Sequence, residues 1–324
     1  MKNKSIRTLI ITLAVFLALG GTLLAVADRY WIAHPEPVPN QPVIPAPSPS
    51  SVSSPRPTQT AYSPSQTPAP TPEPTPAPTP SPVLSGDFLH EYEDEGVTIR
   101  VQKVETGEGQ EMVTHFAAEV WVRDMTRLTT HFAKDTFGKN YLERPSPLSS
   151  RLGALFAVNG DFYGIRDDGI IIRNGVLYRD AAARQGAALC ADGRLIVYEE
   201  SEVTAVGLLT EGVRDSFSFG PILVRDGKAE TEMKTNVRGL NPRTAIGMIE
   251  PGHFLFVVVD GRLKGYSRGM RMEELAGLMA GYGCQTAYNL DGGGTSTMIF
   301  DQTLVNRPLG KEKERSSSEI IYIK

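Results

Sequence analysis

The chain has 324 residues, a formal net charge of −4 and two cysteines. That balance gives no electrostatic reason to expect a nucleic-acid partner, and two cysteines are too few for a disulfide scaffold or a cysteine-rich zinc site. Eighteen of the 24 prolines fall between Pro35 and Pro82, so length overstates the folded part, and roughly 240 residues are left to build one core.

Lys2, Lys4 and Arg7 precede an uncharged run, Thr8–Ala27, and Tyr30 and Trp31 follow it. Twenty helical residues at about 1.5 Å each reach about 30 Å, the depth of a bilayer's hydrocarbon core. Cations before the run and aromatics after it predict a signal-anchor transmembrane helix over residues 1–31, with the N-terminus in the cytoplasm. The competing reading is a cleaved signal peptide, because Ala25-Val26-Ala27 fits a small-residue cleavage site. Signal-peptide cores usually run only about 7–15 residues, which favours the uncleaved anchor. Either way, the rest of the chain is expected on the extracytoplasmic side. Residues 32–84 are mostly Pro, Ser, Thr, Ala and Gln. They lack the apolar content for a core and read as an extended, disordered linker. At about 3.1 Å per residue, the 49 or so residues of the Pro-rich part, 35–83, reach on the order of 150 Å.

From Val97 onward the pattern is strand-like. Val97-Thr98-Ile99-Arg100-Val101 alternates, as does much of Phe116–Val122. Asn174-Gly175, Asp192-Gly193, Asp226-Gly227 and Asp260-Gly261 interrupt apolar runs and supply the positive φ that tight hairpins need. Met272, Leu275, Ala276, Leu278 and Met279 follow helical spacing, with Gly281 and Gly283 as stop signals. Further helices are expected near Thr126–Lys134 and Val203–Leu209. The expected fold is α+β, one domain over residues 85–324 dominated by mostly antiparallel sheet with a few helices. Cys190 and Cys284 each lie in or beside an apolar run, where a buried free thiol and a disulfide both remain open.

Four segments carry more polar residues than a core needs. Asn159-Gly160-Asp161-Phe162-Tyr163 ends an apolar strand without an immediate return strand. Asn241-Pro242-Arg243-Thr244 brings a guanidinium into a strand-like run, where its fork suits a phosphate or carboxylate. Asp260, followed by Gly261 and Arg262, emerges from the apolar run Phe254–Val259. The sharpest is Asn289-Leu290-Asp291-Gly292-Gly293-Gly294-Thr295-Ser296-Thr297. Three consecutive glycines make sense where backbone must approach something closely and offer amides to an anion. Together these residues offer carboxylates, amides, an arginine and a glycine loop, and none of the five histidines. Such a set suits hydrolysis at a bond to sugar or phosphate rather than a Ser-His-Asp triad, a histidine-bound zinc or a P-loop. No cofactor is required for that chemistry, although oxygen-rich loops also suit a structural calcium ion.

The runs Tyr288–Ser296, Asn159–Tyr163 and Asn241–Gly247, in that spacing, resemble the phosphodiester glycosidase family. The resemblance extends from about Val97 to Ile323 and includes Ser218-Phe219-Gly220-Pro221 and the helix Met270–Ala280. It implies cleavage of a sugar-1-phosphate diester on the sugar side, releasing free sugar and a phosphomonoester. Carried onto these positions, it points to Asp161, Asp291, Arg243 and Asn159 as catalytic. Tyr163, Asn289, Gly292, Gly293, Gly294, Thr295, Ser296, Thr244, Asp260 and Arg262 would bind substrate. Thr295 stands where serine is common, which keeps the hydroxyl and adds a methyl. The partners expected are a phosphate-linked glycan in the cell envelope or an exopolysaccharide, and a membrane through residues 8–27. Two other readings stay open: a phosphoglycan-binding module that does not cleave, and a metal-dependent phosphodiesterase cutting the P–O bond.

Overall fold

The computed structural model describes residues 15, 19–29, 31–41, 83–233, 235, 237–310 and 314–324, and every strand pairing among them is antiparallel. A meander of β1 (His90–Glu93), β2 (Val97–Thr106) and β3 (Val113–Val122) opens the domain. Then β4 (Leu128–Phe132), helix α1 (Pro145–Leu152) and β5 (Phe156–Asn159) follow, β4 and β5 in a second sheet. Strands β6 (Gly169–Arg173) and β7 (Val176–Ala181) make a hairpin. Three more, β8 (Gln185–Cys190), β9 (Leu195–Glu199) and, beyond helix α2 (Ala205–Thr210), β10 (Val213–Phe217), make a small sheet of their own. The first sheet is completed by β11 (Ile222–Arg225), β12 (Lys228–Ala229), β13 (Arg243–Glu250), β14 (His253–Val259) and, after helix α3 (Met272–Gly281), β15 (Thr286–Asn289). Its order is β12-β11-β15-β13-β14-β3-β2-β1. The second is completed by β16 (Met298–Phe300), β17 (Thr303–Leu304) and β18 (Glu319–Ile323), in the order β17-β16-β5-β18-β4.

Strand β14 shows why the apolar runs are continuous rather than alternating. All seven of its residues are buried, because both faces of the first sheet are covered. Phe254, Phe256 and Val258 face the second and third sheets, packing with Phe156, Val158, Phe217 and Ile321. Leu255, Val257 and Val259 face the other way, onto Met272, Leu275, Ala276 and Met279 of α3. Those four follow i, i+3, i+4, i+7 spacing, so the helix buries a single stripe. Sheet packed on sheet, with one helix closing the outer face, is the α+β architecture read from the sequence.

Local departures have physical causes. The helix expected near Thr126–Lys134 is strand β4, because Leu128 and Thr130 face inward and the run pairs with β18. Consecutive threonines fit a pleated surface better than a helix. Asn174-Gly175 and Asp226-Gly227 turn hairpins with φ of 51° and 77°, and of 48° and 72°. Asp260-Gly261 does not turn one, and leads instead into a loop whose Leu263 bonds Ser267. Cys190 and Cys284 are buried free thiols in different core clusters.

A helix occupies residues 19–29, and among the described residues no helix is long and apolar enough to cross a membrane. Most of the expected anchor's first half, and residues 42–82 of the expected linker, lie outside the described residues. Residues 31–41 lie inside them and rest on the domain, with His34–Pro35 pairing Gly138–Lys139.

Candidate active site

Two strands from different sheets end alike, at one edge of the sandwich. Strand β5 runs into Asn159-Gly160-Asp161 and β15 into Asn289-Leu290-Asp291, and each is followed by one turn of 3-10 helix, Tyr163–Ile165 and Gly293–Thr295. The ends are laced together. The Asp291 amide donates to the Gly160 carbonyl at 3.2 Å, and Asn159 Nδ2 donates to the Asp291 carbonyl at 2.7 Å. Asn159 Oδ1 accepts from the Thr244 hydroxyl at 2.8 Å and the Thr297 amide at 3.1 Å. Asn159 and Thr244 are thus buried ties between the sheets, and their polar atoms face protein.

The two aspartates differ. Asp161 is fully buried. It accepts from the Tyr163 amide at 3.1 Å, the Ser218 amide at 2.9 Å and Arg173 at 3.3 Å. Arg173 also forks onto Glu319, at 2.6 and 2.7 Å. Burial pushes Glu319 up to about 8 against the pull of Arg173, and Asp161 adds to the rise. Loss of solvation is the larger cause of that direction, because the charged form of a carboxyl is disfavoured out of water. Asp291 has no such partner. Its Oδ1 accepts from the Gly292 amide at 2.8 Å, and its Oδ2 from the Thr295 hydroxyl at 2.7 Å. Burial raises its pKa; Thr295, Arg315, the Gly292 amide and Arg166 pull the other way.

The glycine loop is tight. A Cβ on Gly292 would stand 2.9 Å from the Pro242 carbonyl oxygen, and Gly293 holds φ at +71°. Its amides are largely taken: that of Gly292 by Asp291, and that of Gly293 by the Pro242 carbonyl at 3.0 Å. What the loop presents to an anion is arginine. The Arg262 guanidinium lies 3.8 Å from where a Gly293 Cβ would be. Arg315 Nη2 lies 3.9 Å from Asp291 Oδ2. Arg166, stacked 4.7 Å over Phe219, is within electrostatic reach of both Asp161 and Asp291. Burial and neighbouring Arg184 hold Arg166 below the usual guanidinium range. Beside the loop, Asn289 Oδ1, Ser296 Oγ and Thr297 Oγ1 are buried with no hydrogen-bond partner. Asn289 Nδ2 donates to the Gly220 carbonyl at 2.8 Å.

The remaining sequence candidates sit around this centre. Arg243 directs Nε to the Met270 carbonyl and Nη2 to those of Val237 and Gly239. Burial, then Arg262, hold its pKa down to about 10. Its fork closes the loop behind the site. Asp260 accepts from Tyr266, Asn306 and the Arg307 amide, pinning two loops. Tyr163 is buried and stacks on Phe137 at 5.2 Å in an aromatic cluster. Sequence reasoning passed over Arg166, Arg315, Arg173 and Glu319. Arg166 is only five residues beyond Asp161, a signal that was available. No local pattern marks the other three. No group of three or more His, Cys, Asp or Glu able to hold a metal occurs among the described residues. A cleft of about 1190 Å³ lined by Trp121, Arg123, Glu250 and His253 opens at the opposite end of β13 and β14. At about 3.3 Å per residue that is roughly 23 Å away, so the cleft holds none of these groups.

The phosphodiester glycosidase family model matches residues 152–324, just over half of the chain. Among curated proteins, the SPbeta prophage-derived protein YomE of Bacillus subtilis is 35% identical over 180 residues, 52% of this chain and 28% of that one. The N-acetylglucosamine-1-phosphodiester alpha-N-acetylglucosaminidase of Bos taurus is 26% identical over 175 residues, 48% of this chain and 33% of that one. The chain therefore spans about a third of the length of the curated relatives it matches. Among solved structures, the zebrafish catalytic domain of the latter enzyme, auto-inhibited by its pro-peptide, shares the fold. Its TM-score is 0.58 and its identity 19%, covering 71% of this chain and 84% of that one. Both Asn-x-Asp turns, the glycine loop and Arg243 fall within the matched segment, and this chain belongs to the phosphodiester glycosidase family, hydrolases that act on phosphodiester glycosidic bonds.

Proposed function

We propose that the protein hydrolyses a sugar-1-phosphate diester in envelope or exopolysaccharide glycans on the extracytoplasmic side of a membrane. One observation carries the site assignment: Asp291, whose pKa burial raises, has Arg315 at 3.9 Å and Arg166 within electrostatic reach, and the Arg262 guanidinium lies against the glycine loop that follows it. Breaking the bond between the anomeric carbon and oxygen releases a phosphomonoester anion. Such a leaving group needs charge stabilisation more than a proton, and arginine supplies it through a bidentate fork. Asp291 is then the carboxylate that acts on the sugar side. Thr295 and the Gly292 amide orient its two oxygens, and the unpartnered Asn289 Oδ1, Ser296 Oγ and Thr297 Oγ1 accept or donate to sugar hydroxyls. Asp161, closed off behind Arg173, shapes the turn. The extracytoplasmic location is supported by the cations and apolar run at the N-terminus.

The test is hydrolysis of a panel of glycosyl phosphodiesters in water enriched in oxygen-18. Label in the released sugar, with an unlabelled phosphomonoester, is the expected outcome. Label in the phosphate would establish cleavage at phosphorus and sink this reading, and saturable binding without turnover would favour a non-catalytic module.

A further inference from the structure

Residues 28, 29 and 31–41 are fastened to the loop that follows Asp161. Asn140 makes the first link. Its Nδ2 donates to the carbonyls of Asp28, Arg29 and Ile32, at 3.3, 3.1 and 2.7 Å. Its own amide donates to the Gly164 carbonyl at 2.8 Å. Asn140 adopts φ 59°, a left-handed conformation that asparagine tolerates. Arg179 makes the second. Its Nη2 holds both carboxylate oxygens of Glu36 at 2.8 Å, and its Nη1 donates to the carbonyls of Tyr163 and Asp168 at 3.3 and 3.1 Å. Lys139 pairs with Asp167 on the same loop. Farther along, Gln41 and Leu177 exchange two bonds, at 2.9 and 2.8 Å. Glu36 is one of three charged residues in the proline-rich tract, and the Arg179 it meets is buried, so this is a shielded pair rather than a surface contact of little energy.

The loop thus held, residues 161–168, carries Arg166 at the candidate site. The helix at the other end of the strap, residues 19–29, leaves Leu19, Leu23, Leu24 and Val26 exposed. Exposed leucines on one helix are a surface in want of an apolar partner.

We infer that residues 28–41 are a strap that fixes the site loop to the apolar N-terminal helix, so that the enzyme works close against a lipid bilayer on glycosyl phosphodiesters presented at its surface. Residues 28–41, and not the length of the proline-rich tract, then set the height of the domain above the bilayer. The substrate half of this inference rests on the glycosidase reading above; the strap does not.

The experiment uses the full chain reconstituted in phosphatidylcholine vesicles, with an acceptor dye on the headgroups and a donor on a cysteine placed at exposed Lys264. Energy transfer is compared before and after the tract is lengthened by a second copy of residues 67–76. In the parent chain transfer is expected to stay unchanged. In the variant Glu36→Ala/Gln41→Ala/Asn140→Gly, whose glycine keeps the left-handed backbone, transfer is expected to fall, and to fall further with the longer tract. Transfer that depends on tract length in the parent, indifference to the triple variant, or failure of the parent to partition into vesicles would each overturn the strap. Should the triple variant misfold, hydrogen exchange on the parent decides. The Glu36 amide, bonded to the Phe137 carbonyl at 3.3 Å, is expected to exchange slowly, and exchange at random-coil rates overturns the docking. Turnover then reads the substrate half. The parent is expected to hydrolyse a lipid-borne diester in its own vesicle faster than the triple variant does, with equal rates on a soluble diester. Absence of any turnover would count against the glycosidase reading and leave the energy-transfer result standing.

Discussion

The turns after β5 and β15 begin from nearly the same local plan, Asn-x-Asp followed by a single turn of 3-10 helix, and arrive at opposite chemistry. At Asp161 the surroundings supply a guanidinium, two backbone amides and complete burial. At Asp291 they supply a hydroxyl, one amide and a single exposed cation, Arg315, at 3.9 Å. Local sequence places a carboxylate at the end of a strand; what packs on it from elsewhere decides whether it braces the fold or meets a substrate. Asp161 is tied on every side by protein donors, whereas burial raises the Asp291 pKa and leaves its carboxylate beside unspent arginines.

The largest expected effect separates the two. Asp291→Asn should lower turnover by about two to four orders of magnitude, the range typical of a positioned acid–base carboxylate. Its thermal midpoint should equal or exceed the parent's. The raised pKa of Asp291 means that the folded state holds its proton more tightly than the unfolded chain does. At neutral pH the ionised side chain therefore costs stability, which the neutral amide relieves. Parent-like turnover in Asp291→Asn would dissolve the distinction. Arg173→Met should do the reverse, costing about 3–5 kcal/mol by stranding Glu319 and Asp161 without their cation. Chemical denaturation measures this, and a loss below about 1 kcal/mol, within the range of a surface pair, would show that the buried triad is not what holds the Asp161 turn.

Thr295→Val comes next. It removes the hydroxyl that meets Asp291 at 2.7 Å at nearly constant volume, and hydrogen bonds to charged groups contribute about 1.5–3 kcal/mol. Turnover should fall by roughly tenfold or more, with its pH profile displaced upward because Thr295 normally pulls the Asp291 pKa down. An unchanged profile would mean that the hydroxyl orients the glycine loop and not the carboxylate.

How legible this was differs by layer. The antiparallel sheet, helix α3 and both Asn-x-Asp turns stand out in the sequence, because period, turn dipeptides and interrupted apolar runs are local signals. The difference between the turns does not. Arg173 reads as a charge beside a hairpin and Glu319 as the polar start of a strand; the pairing of β18 with β5 sets Glu319 beside the Asp161 turn, and the hairpin of β6 and β7 brings Arg173 onto both. Arg315 lies in a charge-dense stretch that looks like a solvated face, yet its amide bonds the Gly294 carbonyl at 2.9 Å and fixes it at the site. Arg243 was legible as a special residue but not in its orientation, since the carbonyls it meets come from a loop of irregular backbone. Residue type announces capacity, and long-range packing assigns it.

Titration offers a finer discrimination. Glu319 has a folded-state pKa of about 8 against an ordinary 4.5. The folded state therefore binds the proton more tightly, and the stability this contributes, complete below about 4.5, is lost as pH rises to about 8. Glu319→Gln should lower the midpoint overall, through the weakened fork to Arg173, and flatten its decline between those pH values. A decline as steep as the parent's would place the titrating group elsewhere.

The smallest effect is the most pointed test of which residues serve which turn. Tyr163 follows Asp161 by two residues, as Gly293 follows Asp291, and by motif position it would reach substrate. In the fold its ring is buried among Phe132, Phe137 and Tyr178, and its hydroxyl lies 3.5 Å from the Ser318 carbonyl, at the limit of a hydrogen bond. Burial holds that phenol far from ionisation. Tyr163→Phe therefore removes one weak bond and leaves the packing in place. Its stability should change by no more than about 1 kcal/mol, and both kcat and KM for a sugar-1-phosphate diester should match the parent's. Loss of turnover without loss of stability would mean that the phenol turns toward Asp291 when substrate is bound. The two turns would then be partners in chemistry, and not one reacting carboxylate and its brace.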